Sequence, residues 1–142
     1  MKLTIEECET FLAQPHVASL SVASGPGRGL LTVPIWYRYL PDGEIVVITG
    51  RYARKAEMIS VAGCFSMLVN VMTRRQIRYV SVDGPVVRTG PATDEMVRSM
   101  AARYLAPDKV EEYVAAANAE RGEQLAISMR PEHWLARDVI PG

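Results

Sequence analysis

Thr49-Gly50-Arg51-Tyr52-Ala53-Arg54-Lys55-Ala56 is the stretch on which the reading of this 142-residue chain turns. Tyr52, Ala56 and Ile59 recur at helical spacing and Gly63 supplies a stop, so a short helix is expected over 52–62. Arg54 and Lys55 then fall in its first turn, with Arg51 just ahead of it. A helix N-terminus carries partial positive charge and unpaired N–H groups, so each cation placed there costs about 0.3–1 kcal/mol. The arrangement becomes favourable when an anion binds. Backbone N–H groups, the helix dipole and two or three cations then converge on one phosphate or carboxylate. A solvated basic turn, whose long side chains bend away into water, is the other reading, and this stretch alone leaves both open.

Upstream, Thr4 and Glu7 have capping-box spacing, and Ile5, Cys8 and Leu12 share a face, so a helix is expected over 5–14, ended by Pro15. Residues 17–23 set Ser19 and Ser21 against Ala18, Leu20 and Val22, the alternation of a strand. Ser24-Gly25-Pro26-Gly27-Arg28-Gly29 is a turn. Residues 30–40 read as a second strand, although Pro34 cannot donate to a ladder. That stretch therefore belongs at an edge, at a bulge or beside something that is not protein. Pro41-Asp42-Gly43-Glu44 closes a hairpin onto a third strand at 45–49.

Downstream, Phe65, Met67, Val69 and Val71 alternate in a fourth strand over 65–71, and 77–87 supplies a fifth, interrupted by Gly84-Pro85. A helix opens at Thr93 with Asp94 and Glu95 and turns Met96, Val97, Met100, Ala101 and Tyr104 inward. Another has Pro107 near its start, Val110, Tyr113, Val114 and Ala117 on one face, and Gly122 at its end. Gln124–Met129 is the last strand, trailed by Arg130-Pro131-Glu132-His133-Trp134. Six short, mainly hairpin-connected strands with segregated helices define an α+β domain, mainly antiparallel, spanning 1–142 as a single unit. Regular βαβ alternation is missing, which argues against a Rossmann fold.

Sixteen Lys+Arg balance sixteen Asp+Glu, which disfavours nucleic acid or an anionic membrane surface as partner. Apolar runs are short, so no transmembrane helix is expected, and the opening residues lack the apolar stretch of a signal peptide. A cytoplasmic location follows as the expectation. Cys8 and Cys64 have no ligand spacing and read as buried or partly buried free thiols; His16 and His133 stand singly, so no metal site is expected. No Gly-x-Ser-x-Gly turn supports a hydrolase. Chemistry, if present, arrives with a cofactor.

The overall balance conceals one polarised stretch. Residues 51–78 hold six cations (Arg51, Arg54, Lys55, Arg74, Arg75, Arg78) against one acid, Glu57. A second pointer is Val33-Pro34-Ile35-Trp36-Tyr37, a proline inside a strand followed by two aromatics. It suits a flat ring approaching exposed backbone, and equally an edge strand at a subunit interface.

Together these segments resemble the pyridoxamine-5′-phosphate-oxidase-like, flavin-binding split-barrel superfamily. Its phosphate-binding segment runs from Thr through a short spacer to Arg-Lys-Ala or Arg-Lys-Gly at a helix start, as Thr49 to Ala56 does. A strand ending in Asp-Gly follows, here Arg78-Tyr79-Val80-Ser81-Val82-Asp83-Gly84. The resemblance covers roughly residues 12–138 and implies a six-stranded split β-barrel. It also implies that Arg54 and Lys55 bind a cofactor phosphate, assisted by Thr49 and Arg51, with Val33, Pro34, Ile35 and Trp36 lining the ring largely through backbone. It further implies a homodimer with sites at the interface, where Trp134 reaches the partner's cofactor.

Departures from the family pattern narrow the activity. Tyr79 stands where true pyridoxamine phosphate oxidases place a flavin-contacting Gln, and it is carried over as a cofactor contact. Their Arg…Lys clamp on the second strand and their C-terminal substrate-phosphate run are both absent, so oxidation of vitamin B6 is not expected. The sequence looks like the short actinobacterial branch, whose members use coenzyme F-420 or, less often, FMN; Arg51, Arg74 and Arg75 would suit the polyglutamyl tail of coenzyme F-420. The implied function is hydride transfer between that cofactor and a small electron-poor molecule. The alternative is a protein that binds flavin, haem or another flat ligand without turnover. Tyr37, Tyr39 and Tyr79 are candidate proton donors, though tyrosines at such spacings also serve as packing residues.

Overall fold

The reciprocal capping box forms: Glu7 N–H donates to Thr4 Oγ1 and Thr4 N–H to Glu7 Oε1, each at 3.1 Å. Helix α1 (Ile5–Leu12) thereby starts cleanly and buries Cys8, Phe11 and Leu12. The computed structural model describes residues 1–40 and 42–140, so the Pro41 position of the expected hairpin lies outside the described residues. After α1 come β1 (Ala18–Val22), β2 (Leu31–Ile35), β3 (Tyr37–Tyr39), β4 (Ile45–Gly50), α2 (Arg54–Ala62) and β5 (Cys64–Met72). Then follow β6 (Ile77–Pro91), α3 (Asp94–Ala102), α4 (Pro107–Arg121), β7 (Gln124–Met129) and β8 (His133–Ile140).

Every strand pair is antiparallel, in the order β2-β1-β5-β6-β7-β4-β3, with β8 on β6. The two ends of that order, β2 and β3, are one run of chain broken only at Trp36. The sheet therefore curls until its edges approach each other, which is the α+β split barrel. Pro34 sits on the edge strand β2 opposite Ser19, where its missing N–H removes nothing from a ladder on the open side.

Eight strands stand where six are expected, for two reasons. The single run over 30–40 divides at Trp36 as the chain passes from β1's side of the barrel to β4's. β8 escapes sequence reading because its hydrophobic pattern is inverted: Ala136 and the charged Asp138 are buried, while Leu135 and Val139 face outward. The interruption expected at Gly84-Pro85 does not occur either. β6 runs through both residues because the β7–β8 connection crosses tightly beside them. Arg130 N–H donates to Pro85 O at 3.0 Å and Glu132 N–H to Asp83 O at 2.9 Å. A Cβ on Gly84 would lie 1.8 Å from the Arg130 carbonyl oxygen, so this glycine permits a crossing rather than ending a strand.

The barrel core contains Leu20, Val47, Phe65, Met67, Val69 and Val80, all buried. A second cluster, Val97, Ala101, Val110 and Val114, joins α3 to α4 and packs Trp36 and Ile48 against it. Met96, expected inward, is partly exposed, and Tyr52, expected to open the helix, precedes it and is 90% exposed. Cys8 is buried as expected, but Cys64 is exposed; both are free thiols.

His16 stacks on Phe11 with ring centroids 4.4 Å apart. Burial, aided by the nearby Arg103 charge, pushes its pKa below the ordinary 6.5. Between the lowered and the ordinary pKa the unfolded chain binds a proton that the folded chain does not. The stability tied to the neutral ring is therefore present above pH 6.5 and lost as pH falls beneath it. Urea midpoints measured at pH 7 and pH 5.5 should fall with pH, and His16→Phe should flatten that fall.

Candidate functional site

Helix α2 begins at Arg54, with Ala53 at its N-cap and no side-chain acceptor for the free N–H groups of its first turn. Arg54 is exposed and Lys55 half-buried. Beside this helix start lies a cleft of about 220 Å³ whose walls include Pro34, Ile35, Trp36, Lys55, Tyr113 and Gln124. The tertiary structure thus brings the aromatic segment and the basic turn, 20 residues apart in sequence, to one space. Gln124 is only 4% exposed and its Nε2 has no hydrogen-bond partner. Thr49 is also buried with its Oγ1 unpartnered, but it pairs with Leu125, one register step from Gln124 and so on the other face of the sheet, and does not line the cleft. Buried donors left unpaired cost about 1–3 kcal/mol each, which is recovered when a ligand or water accepts from them.

The Trp36 indole stacks on Tyr104 at 4.9 Å and 6°, and lies 5.0 Å from the Tyr113 ring. Tyr104 does more than stack. Its hydroxyl accepts from Tyr37 N–H at 3.2 Å and lies 3.0 and 2.9 Å from the carbonyl oxygens of Tyr37 and His16, to either of which it donates. It thereby supports the backbone where β2 gives way to β3. Trp36 is accordingly the anchor for α3 and α4, and the Pro34–Trp36 segment turns toward the cleft as part of its wall.

Other residues named from the sequence lie elsewhere. Val33 packs against the barrel core. Arg51 pairs with Glu123 at 3.1 Å and lines a separate cavity of about 720 Å³ with Tyr52 and Glu57, on another flank of α2; Arg54 lines neither space. Tyr79 lies on the outer face of β6 between Asn70 and Arg137, and Trp134 packs on the core opposite Val82. Arg74 and Arg75 are exposed in the β5–β6 turn, whereas Arg78 is held by Asp138 at 2.8 Å with its guanidinium 5.9 Å from the Phe11 ring centroid. The six-cation stretch is therefore dispersed, and Lys55 is its member in the cleft.

Of the tyrosines considered as proton donors, Tyr37 donates to Leu12 O at 2.8 Å and Tyr39 to Glu9 Oε2 at 2.9 Å. Burial pushes both hydroxyls above the ordinary tyrosine range. Gln124 was not legible in advance: a glutamine opening an apolar strand carries no motif, and only its pairing with Gly50 puts it at the cleft.

No protein-family model matches the chain, and no curated protein matches it. Solved structures do. An F420 reductase superposes with a TM-score of 0.70 at 18% identity, over 89% of this chain and 94% of that one. A conserved hypothetical protein from Mycobacterium tuberculosis gives 0.72 at 20% identity, over 96% and 85%. A FAD-binding protein from Mesorhizobium loti gives 0.66 at 19% identity, over 98% and 97%. At these identities the likeness is one of fold, and it is the split barrel expected from the resemblance. Among the described residues no helix is long and apolar enough to cross a membrane.

Proposed function

We propose that this chain is a cytoplasmic flavin- or deazaflavin-dependent oxidoreductase that binds coenzyme F-420 or FMN and acts on a small electron-poor organic molecule. The observation that carries the reading is the cleft where Lys55, the uncapped start of α2 and the unpartnered Gln124 amide meet Pro34, Ile35 and Trp36. Those donors fit a phosphate and the polar edge of a flat ring. The split-barrel neighbours named as F420 reductase and FAD-binding protein support the same class of ligand. When bound, the ring supplies hydride chemistry; the chain's part is to anchor the phosphate, orient the ring and exclude water.

Two features support a homodimer. The cleft, at about 220 Å³, is below the roughly 300–1,000 Å³ usual for ligand pockets, so a second subunit would complete its wall. The outer face of β5, β6 and β8 also exposes Leu68, Met72, Leu135 and Ile140 around Tyr79, an apolar surface suited to a second copy. A binding protein without turnover is the second reading, favoured by the engagement of Tyr37 and Tyr39 in the core.

Fluorescence titration of the apo-protein with FMN and with coenzyme F-420 tests the proposal; no binding of either below about millimolar removes it. Arg54→Ala combined with Lys55→Ala should weaken cofactor binding at least about tenfold, the loss of one charge-assisted hydrogen bond. Thermal stability should hold or rise, because two cations leave the positive end of a helix. Turnover of the reduced cofactor against quinones, enones and tetrapyrroles then separates an enzyme from a carrier.

A further inference from the structure

A second chamber, of about 430 Å³, lies between α3 and the outer face of β3 and β4. Leu40, Val46, Ile48, Met96 and Met100 make most of its wall. Ile48 and Met100 also line the cleft that holds Lys55 and Gln124, so the two spaces share a wall made of these side chains. Its volume falls inside the usual range for small-molecule sites.

Arg38 is the chamber's cation. Among the described residues it makes no ion pair; its Nη1 donates to Ser99 Oγ. The neighbouring arginines are committed: Arg98 is held by Glu95 and Glu111, and Arg88 by Glu44. Glu95, the acid on the chamber wall, is the same carboxylate that Arg98 holds at 3.1 Å, and its side chain is 80% exposed. A half-open groove with a largely apolar wall and one exposed guanidinium that makes no ion pair has a specific complement. A guanidinium offers five donors in a planar fork matched to a carboxylate, and Ser99 occupies one of its nitrogens.

We propose that this chamber binds a small apolar organic acid, its carboxylate on Arg38 and its hydrocarbon part against Val46, Ile48 and Met100. The acid would then abut the cofactor cleft at the shared wall. That the acid is the enzyme's substrate rests on the oxidoreductase reading above; that the chamber binds it does not.

Calorimetric titration of the apo-protein with trans-cinnamate and with cinnamyl alcohol, its neutral counterpart, tests the assignment. Cinnamate should bind at least about tenfold more tightly, the scale of one charge-assisted hydrogen bond. Arg38→Met should abolish that preference while leaving the alcohol's affinity in place, which separates lost recognition from a disturbed fold. Met96→Trp, at the partly exposed rim, should weaken both ligands by filling the chamber. Equal binding of the two ligands by the unaltered protein, a preference that survives Arg38→Met, or no cinnamate binding up to about 10 mM overturns the proposal. FMN and coenzyme F-420 titrations on the same samples keep the two readings apart. Cinnamate preference without cofactor binding upholds the chamber and defeats the oxidoreductase reading; cofactor binding without cinnamate binding defeats the chamber and leaves the cofactor site standing.

Discussion

Gly84→Ala is expected to destabilise the protein by about 3 kcal/mol, the upper end of the usual cost of forcing an atom into filled space. The added Cβ would stand 1.8 Å from the Arg130 carbonyl oxygen and 2.8 Å from its carbon, both backbone atoms that cannot swing aside. The β7–β8 connection would have to lift off β6, losing the hydrogen bonds from Arg130 to Pro85 and from Glu132 to Asp83. Gly90 on the same strand provides the comparison, because a methyl group added there would meet nothing within 4 Å. Gly90→Ala should change stability by less than about 1 kcal/mol, in the direction of a gain, since alanine restricts the unfolded chain. Denaturant midpoints of the two variants measure the difference. Equal losses would mean that glycine matters to β6 generally and that the close crossing is not what selects it.

Arg78→Met should cost a comparable amount, about 3–5 kcal/mol, by leaving the Asp138 carboxylate buried without its partner. Asp138 is 7% exposed, its Oδ2 accepts from Arg78 at 2.8 Å, and its Oδ1 already lacks a partner. Removing both charges in Arg78→Met with Asp138→Leu should recover most of that loss, because a buried pair gains little net stability over well-packed apolar residues. Arg51→Ala, which breaks an ion pair half-open to water, should cost no more than about 1 kcal/mol. A double variant as unstable as Arg78→Met alone would show that the guanidinium's packing on Phe11, and not the ion pair, holds this end of the barrel.

Arg78 also shows where sequence reading lost resolution. Counted with Arg51, Arg54, Lys55, Arg74 and Arg75, it belongs to a basic stretch; in three dimensions its side chain turns inward to an acid 60 residues away. Charge balance along a chain averages over neighbours in sequence, whereas Coulomb attraction acts between neighbours in space. The same distinction explains Trp36. Its place beside Pro34 marks an unusual segment, but only the packing of α3 and α4 makes Tyr104 and Tyr113 its partners.

Local chemistry was legible from residues alone: the Thr4–Glu7 capping box, the period-two alternation of β5 and the cations in the first turn of α2 all depend on residues within one or two turns of each other. An α+β domain on an antiparallel sheet or small barrel follows from those elements and their short connections, and the split barrel from the family resemblance. Closure did not follow. That β2 and β3 end opposite edges of one sheet, that β8 continues along β6 past Gly84, and that Gln124 joins Lys55 and the Pro34–Trp36 segment in one cleft are facts of long-range pairing. Strand register is set by which faces bury against which, so a glutamine's unpaired amide and an inverted strand acquire meaning only after the barrel has closed.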